Sequence, residues 1–567
     1  MNPYKKNIFN MINLLIFTTI ILSCSSPSII EPFQDTVNDK KVEVLSSTYF
    51  VDAKNGNDLN LGTSPDKAWK SLEHINKQTF GPGAKLLFKA GDSWYGSLIP
   101  KGSGTEGKVF EIGKYGDGTR PAIHGDGTNA AIHLNNMEYL LLRDLEITNY
   151  NSSEEGGISL KEWERRNVTD WADAINPDQH VSGNNTKFGI KISAKDMGEV
   201  SHIHLINLEV HGVNGAIDQS KESTKHNGGI FIEITGNSIP TWFNDLRIEN
   251  CYIHDVDRTG VSNVSSWSNR TFTSLGDWTP SENLVIRNNL FERSGANALI
   301  VRVALNPLIE RNLFHQNGIK ASGNAAFNFN TDGALWQYNE ARFTKKNKND
   351  ADAGGLDSDY KSKNTIIQYN YLHDNDFGML VTGGPKKTDG SNFNDRTIVR
   401  YNIFERDGLV KRDGEIAFAF KVGGNATNTF VHNNVFYLSK EQSDVNMVYH
   451  RSWNGYPDRT SYFNNIFYFE STGHSFELTN STNNSFTNNL YYGNNTVSWH
   501  KGEGNIFDDP KFSNPGNGTE GYRIKSTSPA KGNGIRSQNI LFPLYDFYNN
   551  PINNSSIPDI GIHQLIP

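Results

Sequence analysis

The chain has 567 residues, a formal net charge of −8 at pH 7 and 36 % hydrophobic residues. It contains no basic tract of the kind that binds nucleic acid, and a mild negative charge serves mainly to keep a protein in solution. The length alone would allow several domains, but the repeats described below predict a single elongated domain.

The N-terminal 24 residues predict an export signal. Lys5 and Lys6 precede the apolar run MINLLIFTTII, which is too short and too poorly flanked to span a membrane. The following Leu-Ser-Cys resembles a bacterial lipobox, which implies that Cys24 is lipidated and tethers the protein to a membrane. We therefore predict a lipoprotein signal peptide at 1–24 and a protein held at the outer membrane, on the cell surface or the periplasmic face. The alternative is an ordinary secretory signal with a chance cysteine.

Residues 25–46 are rich in Ser, Pro, Asp and Lys, and this composition predicts a flexible tether. The next stretch begins with the strand-like STYFV and continues through a Gly/Asn/Asp turn into an amphipathic helix from about Ser64 to Ile75. Short apolar strands then alternate with Gly turns. Because the first coil of a solenoid exposes strand edges and core, we expect this helix to cap it.

Asparagines recur at intervals of 23 to 32 residues, each between short apolar, strand-like runs such as LVIRNNLF and IVRYNIF. A repeated unit that cannot bury its own apolar face must stack on copies of itself. We therefore predict an all-β fold, a parallel β-helix, in which the asparagine amides hydrogen-bond from coil to coil. Cys251 lies in an earlier repeat and is expected to be a buried, inert thiol. The ladder asparagines are Asn289, Asn312, Asn339, Asn370, Asn402, Asn434, Asn465 and Asn489.

Three stretches carry a resemblance to a known group of proteins: VDAKNGND…GTSPDKAWKSL, LLFKAGDSWYG, and the tail NIFDDPKFSNP…PDIGIHQ. They resemble the right-handed parallel β-helix enzymes that act on carbohydrates, which include polysaccharide lyases, saccharide dehydratases and glycoside hydrolases. The resemblance implies one catalytic domain at 47–567 with an N-terminal helical cap and a C-terminal closing segment. It also implies a monomer that acts on a polysaccharide or oligosaccharide.

A second strand follows most of the asparagine motifs, and we align these strands by their apolar alternation. In this alignment Phe327 and Phe329 point inward. Parallel strands stack about 4.8 Å apart, which would place Asp359 and Lys421 about 10 Å apart. A register slip of one residue would exchange the inner and outer rows. The predicted outward groove contains Arg302, Asn328, Asn330, Asp357, Asp359, Lys421, Tyr449 and Arg451.

Our main functional prediction is β-elimination on a uronate-containing glycan. Arg302, Lys421 and Arg451 would neutralise the substrate carboxylate, and Tyr449, Lys421 or His373 would remove the C5 proton. Asn328 and Asn330 would help bind the substrate. The cation density fits an acidic glycan, and the chain as a whole is similar to enzymes that degrade algal polysaccharides such as ulvan, including oligosaccharide dehydratases. A lone histidine in a polar turn, such as His373, is more often structural.

The sequence also fits two other functions. Asp357 and Asp359, with Asp332 and Glu415 as further candidates, would suit a glycoside hydrolase, which needs two carboxylates about 5 to 9.5 Å apart. A non-catalytic solenoid could instead bind glycans through stacking tryptophans. These tryptophans are Trp163, Trp171, Trp267, Trp336 and Trp453.

None of the loops has its polar residues spaced in a way that demands a metal ion or cofactor. Asp374 and Asp376 could supply oxygen ligands to calcium, which many enzymes of this fold use.

Overall fold

The computed structural model describes residues 43–173, 185–217, 222–321, 323–347, 352–410, 414–493, 502–553 and 555–565, with the backbone alone at 169–173 and 222–223. The predicted signal peptide with Cys24, and residues 25–42 of the predicted tether, lie outside this part of the chain. Strand Val44–Leu45 pairs with Thr79–Phe80, so regular structure begins just inside the predicted tether.

Three long sheets run side by side along the domain, and all of their strand ladders are parallel. Each coil passes from the first sheet to the second and then to the third, so residues far apart in sequence stack directly on one another. The mostly β composition and this topology confirm a parallel β-helix.

The bounds of the strands follow, sheet by sheet. The first sheet contains Thr48–Val51, Lys85–Lys89, Phe110–Tyr115, Leu140–Arg143, Glu199–Ile206, Trp242–Glu249, Ser281–Glu282, Val285–Arg287, Ala304–Leu305, Leu308–Glu310, Leu335–Gln337, Ile366–Gln368, Ile398–Arg400, Phe430–His432, Ser461–Phe463 and Ser485–Thr487. The second sheet contains Ser93–Tyr95, Ala122–His124, Glu146–Asn149, Glu209–Val213, Tyr252–Val256, Leu290–Ser294, Leu313–His315, Glu340–Arg342, Tyr371–His373, Ile403–Glu405, Val435–Leu438, Ile466–Phe469, Leu490–Gly493 and Ile506–Phe507. The third sheet contains Ala130–Asn135, Phe188–Lys195, Gly228–Thr235, Thr259–Ser265, Leu299–Arg302, Ala326–Phe329, Leu356–Ser358, Met379–Thr382, Phe418–Gly423, Asn446–Arg451 and Ser475–Glu477. Two small sheets contain Val44–Leu45, Thr79–Phe80 and Lys101–Gly102, and Ser362–Lys363, Asn394–Asp395 and Ala426–Thr427.

The described helices are few and short. The helix expected from about Ser64 to Ile75 is a 3-10 turn at Pro65–Lys67 followed by a single α-turn at Leu72–Ile75, whose Leu72 and Ile75 are buried. A longer α-helix occupies Leu160–Asp173 in the first insertion. Further 3-10 turns lie at Ser152–Glu155, Glu222–His226 and Thr519–Tyr522. None of the described helices has the length and apolar character needed to cross a membrane.

The predicted asparagine ladder is confirmed. Asn402 shows the repeating pattern: its Oδ1 accepts hydrogen bonds from the backbone N–H of Asn370 at 2.9 Å and from the Asn370 side-chain amide at 3.0 Å. Its own Nδ2 donates to the carbonyl of Ile367 and to Oδ1 of Asn434. Because each buried amide satisfies the backbone of the coil beside it, the turn can be buried without leaving polar groups unpaired.

The core lies between the three sheets and is built mainly of inward-facing Ile, Leu, Val and Phe. Cys251 is buried there, as predicted, and burial raises the pKa of its thiol to about 12. The C-terminal segment covers the outer face of the second sheet, where Tyr522 packs with Ile403 and donates a hydrogen bond to Glu405.

Candidate functional site

The outer face of the third sheet carries two rows of side chains, because successive residues of a strand point to opposite faces. In one row, Asp357 pairs with Phe327 and Leu380, and Leu380 pairs in turn with Lys421. Lys421 then pairs with Tyr449. The row two residues further along the strands places Arg302 beside Phe329, and Gly423 between Thr382 and Arg451. This outer face, called the charged wall below, therefore carries Arg302, Asp357, Lys421, Tyr449 and Arg451. Lys421 lies in the row of Asp357 and not in that of Asp359.

A close approach of neighbouring coils positions this wall. A Cβ on Gly354 would lie 2.3 Å from Leu380 Cδ1 and 2.4 Å from the carbonyl oxygen of Gly378. Only glycine therefore allows the strand that carries Asp357 to stack so closely on the next coil.

Three carboxylates, those of Asp352, Asp357 and Asp359, form the centre of the candidate site. Asp357 is only 4 % exposed, whereas Asp352 and Asp359 are half-buried and face the surface. Burial raises the pKa of Asp357 well above its usual value, and the charges of Asp359 and Asp352 raise it further. Oδ2 of Asp357 accepts hydrogen bonds from Asn324 at 3.1 Å and Thr382 at 3.3 Å. Its Oδ1 has no hydrogen-bond partner among the described residues.

Asp359 has the properties of a carboxyl group that is partly protonated at neutral pH. Burial, reinforced by the charge of Asp352, raises its pKa to about 7, while Lys225 and Arg302 act in the opposite direction. The backbone N–H of Tyr360 donates to Asp359 Oδ1 at 2.8 Å and holds the side chain in place. Such a shift in an accessible carboxyl group is typical of a catalytic acid.

Lys421 belongs to this carboxylate cluster. The residue is 7 % exposed, and burial lowers the pKa of its amine, while the charges of Asp352 and Asp357 partly oppose that shift. Its Nζ lies 5.0 Å from the centre of the Phe418 ring. The cation therefore offsets the negative charge of the aspartates.

Two predicted substrate-binding residues do not face the groove. Asn328 is fully buried on the inner face of its strand, where its Oδ1 accepts a hydrogen bond from the Trp336 indole at 2.9 Å. Asn330 is also buried and donates to the carbonyl of Ser268. Phe327 and Phe329 occupy the outward positions instead. The prediction for this strand was wrong by one residue, because in AFNFN either the phenylalanines or the asparagines can form the inward row.

His373 does not join the site either, because it lies in the second sheet. Its ring nitrogens contact Asp374 at 2.7 Å and Glu340 at 3.2 Å, and these carboxylates raise its pKa to about 9 against the opposing effect of burial. Asp374 is also held by Arg406, and Asp376 accepts the backbone N–H of Lys346. The residues proposed to bind calcium are therefore engaged in protein contacts.

The remaining candidates are dispersed. The backbone of Asp332 forms an isolated parallel β-bridge with that of Lys363, in a turn beside the first sheet. Glu415 forms an ion pair with Lys346 at 3.0 Å. Trp163 and Trp336 are buried and Trp267 packs against the core, whereas the side chain of Trp171 lies outside the described residues. Trp453 is 49 % exposed, and its ring centre lies 6.3 Å from that of Tyr360, the neighbour of Asp359.

Sequence reasoning missed Asp352 and Lys225. The loop at 345–353 was noticeable as a charged irregularity before the strand that carries Asp357. It has no strand periodicity, however, so no alignment of repeats could place its individual side chains.

No family model matches the chain. A curated relative, a lacto-N-biosidase from Bifidobacterium longum subsp. longum, is 25 % identical over an alignment length of 463, and the match covers 70 % of this chain. The match covers 27 % of that protein, so the chain spans only about a quarter of the length of this relative.

Two solved structures share the fold. The GH136 lacto-N-biosidase from Eubacterium ramulus matches with a TM-score of 0.51 and 19 % identity, over 76 % of this chain and 68 % of that chain. XylC in complex with xylose matches with a TM-score of 0.50 and 12 % identity, over 92 % of this chain and 98 % of that chain. These similarities support the parallel β-helix fold.

The comparisons correct the main functional prediction. The curated relative is a glycoside hydrolase, whereas we predicted β-elimination by a lyase or dehydratase on an ulvan-type glycan. That prediction is wrong because it took the cations of the wall as evidence that the substrate is an anionic sugar. The findings favour the alternative of hydrolysis by paired carboxylates.

Proposed function

We propose that this protein is a glycoside hydrolase whose two reacting carboxyl groups are those of Asp352 and Asp359. One observation carries the proposal: two half-buried carboxylates, those of Asp352 and Asp359, interact electrostatically, and the pKa of Asp359 is raised to about 7. Glycosidases require such a pair, one protonated group and one charged group flanking the scissile bond.

The roles follow from the charges. Asp359 donates its proton to the glycosidic oxygen as the bond from that oxygen to C1 breaks. Asp352, whose negative charge raises the pKa values of both neighbours, either attacks C1 or removes a proton from the water that does. If Asp352 attacks C1, a water molecule then hydrolyses the covalent intermediate and gives its proton to Asp359. If Asp352 activates the water instead, that water attacks C1 in the same step, and the proton held by Asp352 returns to Asp359 through solvent. Asp357 is too buried to contact a sugar. It accepts hydrogen bonds from Thr382 and Asn324 and thereby links the coils that carry the charged wall.

The substrate in this proposal is an oligosaccharide with a neutral sugar at the cleavage point. The cations of the wall have partners within the protein: Lys421 is buried and interacts electrostatically with Asp352 and Asp357, and the charge of Arg302 acts on Asp359. The relative is named for lacto-N-biose, so a lacto-N-bioside is the first substrate to test.

A product assay tests the proposed function directly. The protein is incubated with an aryl lacto-N-bioside, with an oligosaccharide ending in lacto-N-biose, and with ulvan, alginate and pectin. We expect new reducing ends from a neutral substrate and no rise in the ultraviolet absorbance that marks a C4–C5 double bond. A rise in that absorbance would show elimination. Binding of a glycan without any product would favour a non-catalytic solenoid, and either result would overturn the proposal.

The pH profile is expected to follow Asp359. Its proton is the reactive one and its pKa is about 7, so kcat/KM should fall about tenfold per pH unit above that value. Rates on a non-ionising substrate between pH 5 and 9 check this. A rate that rises through pH 7 to 8 would show that Asp359 acts as a base.

Trp453 is expected to stack against a sugar ring beside the reacting groups, because it is half exposed and contacts Tyr360. Stacking on an aromatic ring contributes about 0.5–1.5 kcal/mol, so Trp453→Ala should raise KM about 2- to 13-fold with little change in kcat. Tyr456→Ala, at a 58 % exposed residue nearby in the chain, is the matched control. Equal effects of the two changes would exclude a specific role for Trp453.

The untested predictions about the rest of the chain stay proposals. We propose a right-handed coil, as is usual for parallel crossovers, with Leu72–Ile75 covering its first turn. We also propose a monomer that is exported by residues 1–24, anchored through Cys24 and linked by a tether ending near residue 46. Incorporation of labelled fatty acid, and its loss in Cys24→Ser, tests the anchor.

A further inference from the structure

Two histidines and an aspartate meet on the first sheet, away from the carboxylates of the third sheet. His202 and His204 lie in strand Glu199–Ile206, and Asp245 lies in the adjacent strand Trp242–Glu249. The pairing of Ser201 with Asn244 and of Ile203 with Leu246 places His202 directly opposite Asp245. Stacking of two coils therefore brings these three side chains together.

The two histidine nitrogens lie close to the same carboxylate oxygen. His202 Nδ1 lies 2.8 Å, and His204 Nε2 2.9 Å, from the same oxygen, Asp245 Oδ2. All three atoms lie within 4.8 Å of one another. An ion about 2.1 Å from each donor would see each nitrogen and the oxygen at an angle of about 85°, close to that of one face of an octahedron.

The surroundings also suit an ion. The side chains of His202, His204 and Asp245 are 30 %, 15 % and 27 % exposed, so solvent can reach the three donors. Asp245 Oδ1 accepts a hydrogen bond from Arg247 Nε at 2.6 Å, which holds the carboxylate with its other oxygen towards the histidines. The ring of Tyr139 stacks on His202 with centres 6.1 Å apart. Outer contacts of this kind orient metal ligands.

A second group of similar composition, Glu164, His211 and His254, is a weaker candidate. His211 contacts Glu164 through one ring nitrogen and Glu146 through the other, so both nitrogens are engaged by carboxylates. His254 is held by Asp255, which Arg293 also binds. This group is a network of ion pairs.

We propose that His202, His204 and Asp245 form a site for a divalent transition-metal ion of the zinc, cobalt or nickel class. Two imidazoles and one carboxylate on one side leave the remaining positions of the ion to water. Because the ligands come from two coils, the ion would link them and would stabilise the folded chain, which alone presents all three.

Cobalt binding tests the site. The tag-free full-length protein is treated with chelator, and Co²⁺ is added while its visible absorption bands are followed; Zn²⁺ affinity comes from competition. We expect one strong equivalent and a rise in melting temperature with metal. His204→Gln, which can still donate a hydrogen bond to Asp245, and Asp245→Asn should each weaken binding at least tenfold and abolish the thermal shift.

His315→Ala is the matched control, since His315 is a half-buried histidine paired with Glu292 on another sheet. It should bind the metal like the wild type. Circular dichroism establishes that each variant is folded. The proposal is overturned if the wild type binds no Co²⁺, or if His204→Gln and Asp245→Asn, both folded, bind it as tightly as the control.

Discussion

Replacing Asp359 with Asn is expected to lower kcat/KM about 10²- to 10⁴-fold, the usual contribution of a general acid. The side chain keeps its size, and its Oδ1 can still accept the hydrogen bond from the Tyr360 backbone, so the fold should be unaffected. Only the transferable proton is lost. The defect should be largest on a natural oligosaccharide and smaller on an aryl glycoside whose leaving group needs no proton. Steady-state rates on both substrates measure this difference.

Asp352→Ala separates the two carboxyl roles. If Asp352 is the charged partner, its removal should greatly lower kcat/KM on both the natural oligosaccharide and the aryl glycoside. Added azide should restore turnover, because it can occupy the space of the missing carboxylate. Azide should not assist Asp359→Asn on the natural substrate. Asp332→Asn is the control, since Asp332 lies in a turn beside the first sheet and accepts a hydrogen bond from Asn364. If Asp359→Asn retains the activity of this control, the assignment is wrong.

Asn402→Ala is expected to lower the stability of the fold substantially, far more than the substitution of an exposed asparagine. The change removes the acceptor of the Asn370 backbone N–H and the donor to the Ile367 carbonyl, both in buried turns. Each buried polar group left without a partner costs about 1–3 kcal/mol, so the free energy of unfolding should fall by roughly 2–6 kcal/mol. Thermal denaturation followed by circular dichroism, with urea denaturation as a second measure, checks the prediction.

Asn517→Ala provides the comparison for the ladder. Asn517 is an exposed asparagine that contacts Asn514 at the surface, and surface substitutions of this kind usually change stability by less than about 0.5 kcal/mol. If Asn402→Ala melts at the same temperature as Asn517→Ala, the ladder does not stabilise the coils as described.

The fold could be predicted from the sequence because the same asparagine motif recurs in successive coils. Asn370, Asn402 and Asn434 recur at nearly constant spacing, and one chemical need, a buried amide for each turn, explains all of them. Strand alternation was less reliable. At Ala326–Phe329 the core accepts Asn328, since Trp336 and Thr331 satisfy its amide, and both phenylalanines lie outside. Hydropathy alone cannot anticipate such a polar pocket inside a core.

A stacked β-coil and the presence of Asp357, Asp359, Arg302 and Lys421 on one wall could be predicted from the amino-acid sequence, because the coil repeat and the two-residue alternation are local regularities. Folding brings the charge of Asp352 close enough to act on Asp357, Asp359 and Lys421, and it shifts the pKa values of these three groups through burial. It also pairs His373 with carboxylates on a different sheet. Burial and electrostatic interaction depend on contacts between distant coils, and no local pattern in the chain records them.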